Sequence, residues 1–268
     1  MITIIGTHHR HFEQNELSIA DRVRLDHFDR IFTEGFSRDG LSVLDTELEK
    51  IVQQNENLQL NQISGITRGP EPQSLEAVTD AEITYLDDEL STEVLQQICR
   101  TSLENHEEAK VTPYEDLEEH LLKGQASREN YIEFFEDLRD GSKYIAQSYA
   151  ALSEKGYEML IEDTAEEFSH ELAFAGVSPP DTSQEFLDGI EKHGITFQDY
   201  IQTYAEDRKE FQDQRDEEWY QQITEQLGEE ENALVVAGIH HALNYEGTVR
   251  RKLQEEYKEI SANPFRHF

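Results

Sequence analysis

The run Ala233-Leu234-Val235-Val236-Ala237, closed by Gly238-Ile239-His240-His241, is the strongest strand signal in the chain. Five apolar residues without alternation suit a strand buried on both faces, as in a parallel sheet covered by helices. The N-terminus repeats the pattern: Ile2-Thr3-Ile4-Ile5 leads into Gly6-Thr7-His8-His9. Two further short runs end in acid. Arg30-Ile31-Phe32-Thr33 stops at Glu34-Gly35, and Glu82-Ile83-Thr84-Tyr85-Leu86 stops at Asp87-Asp88.

Helical spacing fills the intervals. It covers Asn15 to about Phe28, and Leu44, Leu48, Ile51 and Val52 mark one face of a second helix. Ser91 reads as the N-cap of a third, Pro113 starts a fourth and Ser127 caps a fifth. Gly141 divides that one from a long helix reaching Phe174, and Pro179-Pro180 breaks the chain. One long helix is expected from Phe197 to about Leu227, and a last one from Gly247 to Ile260. Strands alternating with helices predict an α/β fold: a small, mostly parallel sheet with many covering helices. A large helical insertion separates the third strand from the last. The organisation expected is a single α/β domain over 1–268, with 91–204 as a helical insertion or lid at the carboxyl edge of the sheet.

The chain holds 58 Asp and Glu against 23 Lys and Arg, a formal net charge of -35 over 268 residues. Self-repulsion on this scale destabilises a compact state in dilute buffer. At molar salt the Debye length falls to about 3 Å and the repulsion is screened. The composition therefore predicts a halophilic, cytoplasmic protein. No basic stripe is present to neutralise phosphates, which argues against nucleic acid as a partner. No apolar run approaches bilayer length, and no basic region precedes Ile2, so neither a membrane nor a secretory signal is expected. Cys99 is the single cysteine, which excludes an intrachain disulfide and a Cys-rich zinc site. The expected partner is a small-molecule or peptide substrate, and homo-oligomerisation is compatible with the sequence.

Ligands of parallel α/β sheets bind outside the carboxyl ends of the strands. Two Gly-x-x-His motifs occur at such ends, where chance pairing of 14 Gly with 11 His gives roughly 0.6. Two imidazoles and one or two carboxylates on one edge suit a divalent transition metal (Mn, Co, Fe or Zn). The candidate ligands are His9, His241, Glu34 and Asp87. Acidic residues carry little weight in so acidic a chain; Glu34 and Asp87 are singled out because they end predicted strands. Arg215 lies on the late helix four residues before Trp219, the single tryptophan. It is either an arginine paired with nearby acid or a clamp for a substrate carboxylate or carbonyl oxygen.

The order of these motifs resembles the TraB/TIKI superfamily, which includes erythromycin-esterase-like and ChaN-like proteins. Four places carry the resemblance: Gly6-Thr7-His8-His9, Glu34 with Arg38, Arg215-Asp216 with Trp219-Tyr220, and Gly238-Ile239-His240-His241. It covers roughly residues 1–90 and 205–260. The resemblance implies a metal-dependent hydrolase of an amide or ester bond, with His9 and His241 as the central histidines. It gives Glu34 as base or ligand and Arg215 as catalytic clamp. The alternative it implies is a non-catalytic, TraB-like regulatory or ligand-binding protein.

Overall fold

The computed structural model describes residues 1–7, 25–54, 79–104, 113–141, 150–174, 182–206, 208–228, 231–257 and 260–262. The strand expected at 233–237 is the middle of a five-stranded, wholly parallel sheet. Its strands are β1 (Ile2–Thr7), β2 (Arg30–Thr33), β3 (Glu82–Tyr85), β4 (Ala233–Gly238) and β5 (Ile260–Ala262), in the spatial order β3-β2-β4-β1-β5. All six residues of β4 are buried, which explains why its sequence shows no polar alternation. Ile5, Ile31, Leu234 and Val236 form a cluster with Leu25 on one face. Their alternates Ile4, Phe32 and Val235 are equally buried and point to the other face.

The register sets the working edge. Thr7 stands opposite Gly238, and Thr33 opposite Val236. β1 and β4 therefore end level, while β2 and β3 end two residues earlier in the register, with Tyr85 opposite Thr33.

The helices are α1 (Arg38–Gln54), α2 (Thr92–Glu104), α3 (Pro113–Leu122), α4 (Arg128–Gly141), α5 (Glu154–Phe174), α6 (Thr182–His193), α7 (Phe197–Glu206), α8 (Glu210–Gln226), the single turn α9 (Ile239–Ala242) and α10 (Val249–Glu256). Ser91 and Ser127 cap α2 and α4 as expected: their Oγ atoms accept from Val94 N and Asn130 N, each at 3.4 Å. The helix expected from Asn15 and the break at Pro179-Pro180 lie outside the described residues, apart from a 3-10 turn at Leu25–His27.

Three expectations need correction. The helix expected from Phe197 to Leu227 is two helices, because Gln212 Oε1 accepts the Lys209 N–H at 3.0 Å and starts α8 afresh. The last helix stops at Glu256, where Tyr257 N closes it on Leu253 O at 2.8 Å. The chain then adds the short edge strand β5 beside β1.

Two compact units result: Met1–Glu108 with Lys209–Phe268, and Ala109–Arg208. The inserted unit is thus shorter than 91–204 at its start. Helix α2 belongs with the sheet, since its Leu95 and Cys99 pack with Leu44, Leu48 and Phe36 of the α1 region. The inserted unit has its own aromatic core. Phe134 meets Phe135 and Phe168 at 5.6 and 5.8 Å, and Phe135 meets Tyr200 edge-on at 5.4 Å. Such tilted and edge-on pairs add to the stabilisation from burial alone.

Cys99 is fully buried. Burial, reinforced by the nearby Glu47 carboxylate, pushes its thiol pKa up to about 12. Since the thiolate is the reactive form, an aromatic disulfide reagent at pH 8 should leave the native protein unlabelled and label it fully once unfolded. Rapid stoichiometric labelling of the native chain would contradict this burial.

Candidate functional site

The site grows from the exits of β2, β3 and β4 and from one face of α8. The ladder continues past β2: Glu34 N donates to Val236 O at 2.8 Å. Gly35 then turns the chain with φ at 115°, a conformation that glycine adopts without a Cβ clash. This turn aims the Gly35 N–H at Asp87 Oδ2, 2.9 Å away. Asp88 acts beside it, its Oδ1 accepting from Ser37 N at 2.9 Å just ahead of α1.

Helix α8 is stitched along β3. Gln226 Oε1 accepts from Thr84 Oγ1 at 3.0 Å, and Gln222 Nε2 donates to Leu86 O at 3.0 Å. Glu218 Oε2 accepts from Ser91 N at 2.7 Å. Its buried positions, Asp216, Trp219, Gln222 and Ile223, follow helical spacing although two of them are polar, one of these acidic. This stitching delivers Arg215 to the acid pair. Arg215 Nε and Nη2 donate to Asp87 Oδ1 and Oδ2 at 3.0 and 2.6 Å, a bidentate pairing. The same Nη2 lies 3.0 Å from Glu34 Oε1. Trp219 Nε1 adds a bond to Asp87 Oδ1 at 3.1 Å, and the Arg215 guanidinium stacks 4.5 Å over the Trp219 ring. Glu34 Oε2 accepts from Gly238 N.

The electrostatics follow from this packing. Burial pushes the Asp87 carboxyl above its ordinary value, with Glu34 adding to the rise and Arg215 offsetting it. Burial also works against the charged guanidinium of Arg215, yet Asp87 and Glu34 outweigh it and hold its pKa above the usual arginine value.

The second half of the site also packs on Trp219. His241 sits on α9, directly after β4, with its ring 4.6 Å from the Trp219 ring. Its Nδ1 is 2.9 Å from Asp216 Oδ2, and Asp216 Oδ1 accepts from Val249 N at 3.0 Å. Asp216, fully buried, thus joins the histidine to the first amide of α10. A carboxylate is favoured there by the helix dipole.

Of the residues expected from sequence, Glu34, Asp87 and Arg215 come together, and His241 packs against the same Trp219 ring that Arg215 stacks on. His9 lies outside the described residues. The metal-ligand role expected for Asp87 does not match its bonding. Both oxygens are engaged by Arg215, one also by Trp219 and the other by Gly35, so Asp87 frames the site instead. Of the two roles open to Arg215, the ion pair is the one formed. Among the described residues, no group of three His, Cys, Asp or Glu side chains could hold a metal ion. Sequence reasoning missed Asp216 as a functional residue. The available signal was its place three residues before Trp219, on the same helix face.

Comparison of the chain with protein-family models, with curated proteins and with solved structures gives no match. No helix among the described residues is long and apolar enough to cross a membrane.

Proposed function

We propose that the carboxyl edge of the sheet is the site of a metal-dependent hydrolase acting on an amide or ester bond. The buried His241–Asp216 pair carries this reading. Asp216 engages Nδ1 at 2.9 Å, so Nε2 is the nitrogen that would hold an ion. A carboxylate behind an imidazole is the usual outer support of a metal-bound histidine, fixing its tautomer and orientation. His241 fits a transition metal, and His9 of the matching Gly-x-x-His motif is the partner ligand in this reading. Thr7, two residues before His9, stands opposite Gly238. The bound ion would supply an acidified water near neutral pH. Arg215 keeps Nη1 outside its ion pairs and can offer it to a developing oxyanion. The motif order shared with the TraB/TIKI superfamily supports the same assignment.

One observation favours a second reading, a non-catalytic ligand-binding protein. Glu34 and Arg215, the expected base and clamp, are held against each other at 3.0 Å. Elemental analysis of protein purified in molar salt separates the two. The hydrolase reading expects about one equivalent of transition metal, lost in His241→Ala. It expects metal affinity to drop roughly 10–100-fold in Asp216→Asn. Metal content that is absent, or unchanged in His241→Ala, would refute it.

A further inference from the structure

Three cations stand in a row on α10, and one differs from its neighbours. Arg251 Nε pairs with Glu255 at 3.0 Å and Lys252 Nζ with Glu217 at 2.6 Å. Arg250 has no carboxylate partner among the described residues. Its one hydrogen bond runs from Nη1 to Ala242 O at 3.0 Å, and its buried Nε has no partner. Ala242 is the residue after His241 and the last of α9. The guanidinium is therefore anchored at the foot of the histidine-bearing turn.

An arginine that only closed a helix C-terminus would account for the Nη1 bond. It would not account for a partly buried cation left unpaired in a chain where acids outnumber bases 58 to 23. Unpaired buried charge is costly, and an acidic side chain within reach would relieve it. Burial lowers the Arg250 pKa from the ordinary arginine value, with no acid opposing the shift.

We propose that Arg250 is a specificity-determining residue that binds a carboxylate on the substrate of the site at His241. This deepens the hydrolase reading and rests on it: the substrate class becomes an amide or ester with a free carboxylate, such as an N-acylated amino acid. A monoanion matches one uncompensated cation at this turn better than a phosphate dianion, which calls for more positive charge. In a strongly negative protein, this guanidinium is what admits an acid substrate instead of repelling it. Its Nη1 stays on Ala242 O, so the carboxylate's position is tied to the backbone beside His241.

The test uses the full chain at fixed molar KCl and calorimetric titration with three probes: N-acetylglycine, its uncharged amide and inorganic phosphate. The acid should bind more tightly than the amide. In Arg250→Gln its affinity should fall roughly tenfold or more, while binding of the amide is unchanged. Arg250→Lys, which keeps the charge, should lie between. No preference of the wild-type chain for the acid would overturn the proposal, and that comparison needs no variant. Equal affinity in Arg250→Gln would also overturn it, as would Arg250-dependent binding of phosphate in place of the acid. Metal content, measured on the same samples, should not change in Arg250→Gln. Failure of the hydrolase reading appears as missing metal with acid preference intact; failure of this inference appears as the reverse.

Discussion

Asp87→Ala should cost the sheet-bearing unit about 3–5 kcal/mol, an effect comparable to the whole stability of many domains. The loss would come less from the missing contacts than from what remains. Arg215, 12% exposed, keeps its charge but loses both bidentate bonds, retaining only Glu34 at 3.0 Å. The Trp219 indole N–H and the Gly35 amide lose their acceptor as well. Buried donors without acceptors cost about 1–3 kcal/mol each where water cannot enter. Trp219 is the single tryptophan and touches this cluster directly, so its fluorescence in urea titrations at constant salt reads the change. The companion change Arg215→Met should be less than additive with Asp87→Ala, because the two share one interaction. Full additivity, or a loss below about 1 kcal/mol, would mean that the cluster is not a stabilising frame.

Transfer from molar salt to dilute buffer should unfold the chain. At about 0.1 M salt the Debye length is about 10 Å, long enough for neighbouring surface carboxylates to repel one another. The net charge of -35 then acts on the folded state with little screening. Circular dichroism should lose its helical signal as KCl is removed and regain it when KCl returns. Mild acidification toward the isoelectric point near 4.5 should recover part of the signal without salt, since it removes charge. A helical signal unchanged in dilute buffer at neutral pH would refute the halophilic reading.

The parts of the fold that were legible in sequence are those whose local chemistry is decided by burial. β4 reads as a strand because both its faces are covered. β2 and β3 read as strands because acid and glycine end them abruptly, and Glu34 and Asp87 were found for that reason. β5 was not legible: Ile260-Ser261-Ala262 carries one large apolar residue and gains its identity only by pairing with β1. The break before α8 was hidden for a different reason. Neither glycine nor proline marks it, and the signal is a single glutamine side chain accepting from Lys209 N. Asp216 shows the cost of so acidic a composition. Its place three residues before Trp219 is a weak signal among dozens of carboxylates, and the tertiary approach of His241 and Val249 is what distinguishes it. Arg215 was legible as a scarce residue, whereas its partners depended on the stitching of α8 to β3.

The position of β4 bears on how the protein is made. β1 and β2 are both complete at Thr33, yet the strand that joins them begins only at Ala233. At ordinary translation rates roughly 10–40 s separate β2 from the arrival of β4. Through that interval the ribosome holds two sheet fragments whose shared neighbour does not yet exist, while the Ala109–Arg208 helices emerge with an aromatic core of their own. The insert can therefore gather its core before the sheet can close, since β1 and β2 wait for β4 to lie between them. The arginine–carboxylate frame and the His241–Asp216 pair come into being only in that step, so the nascent chain carries no site until β4 and α9 have emerged.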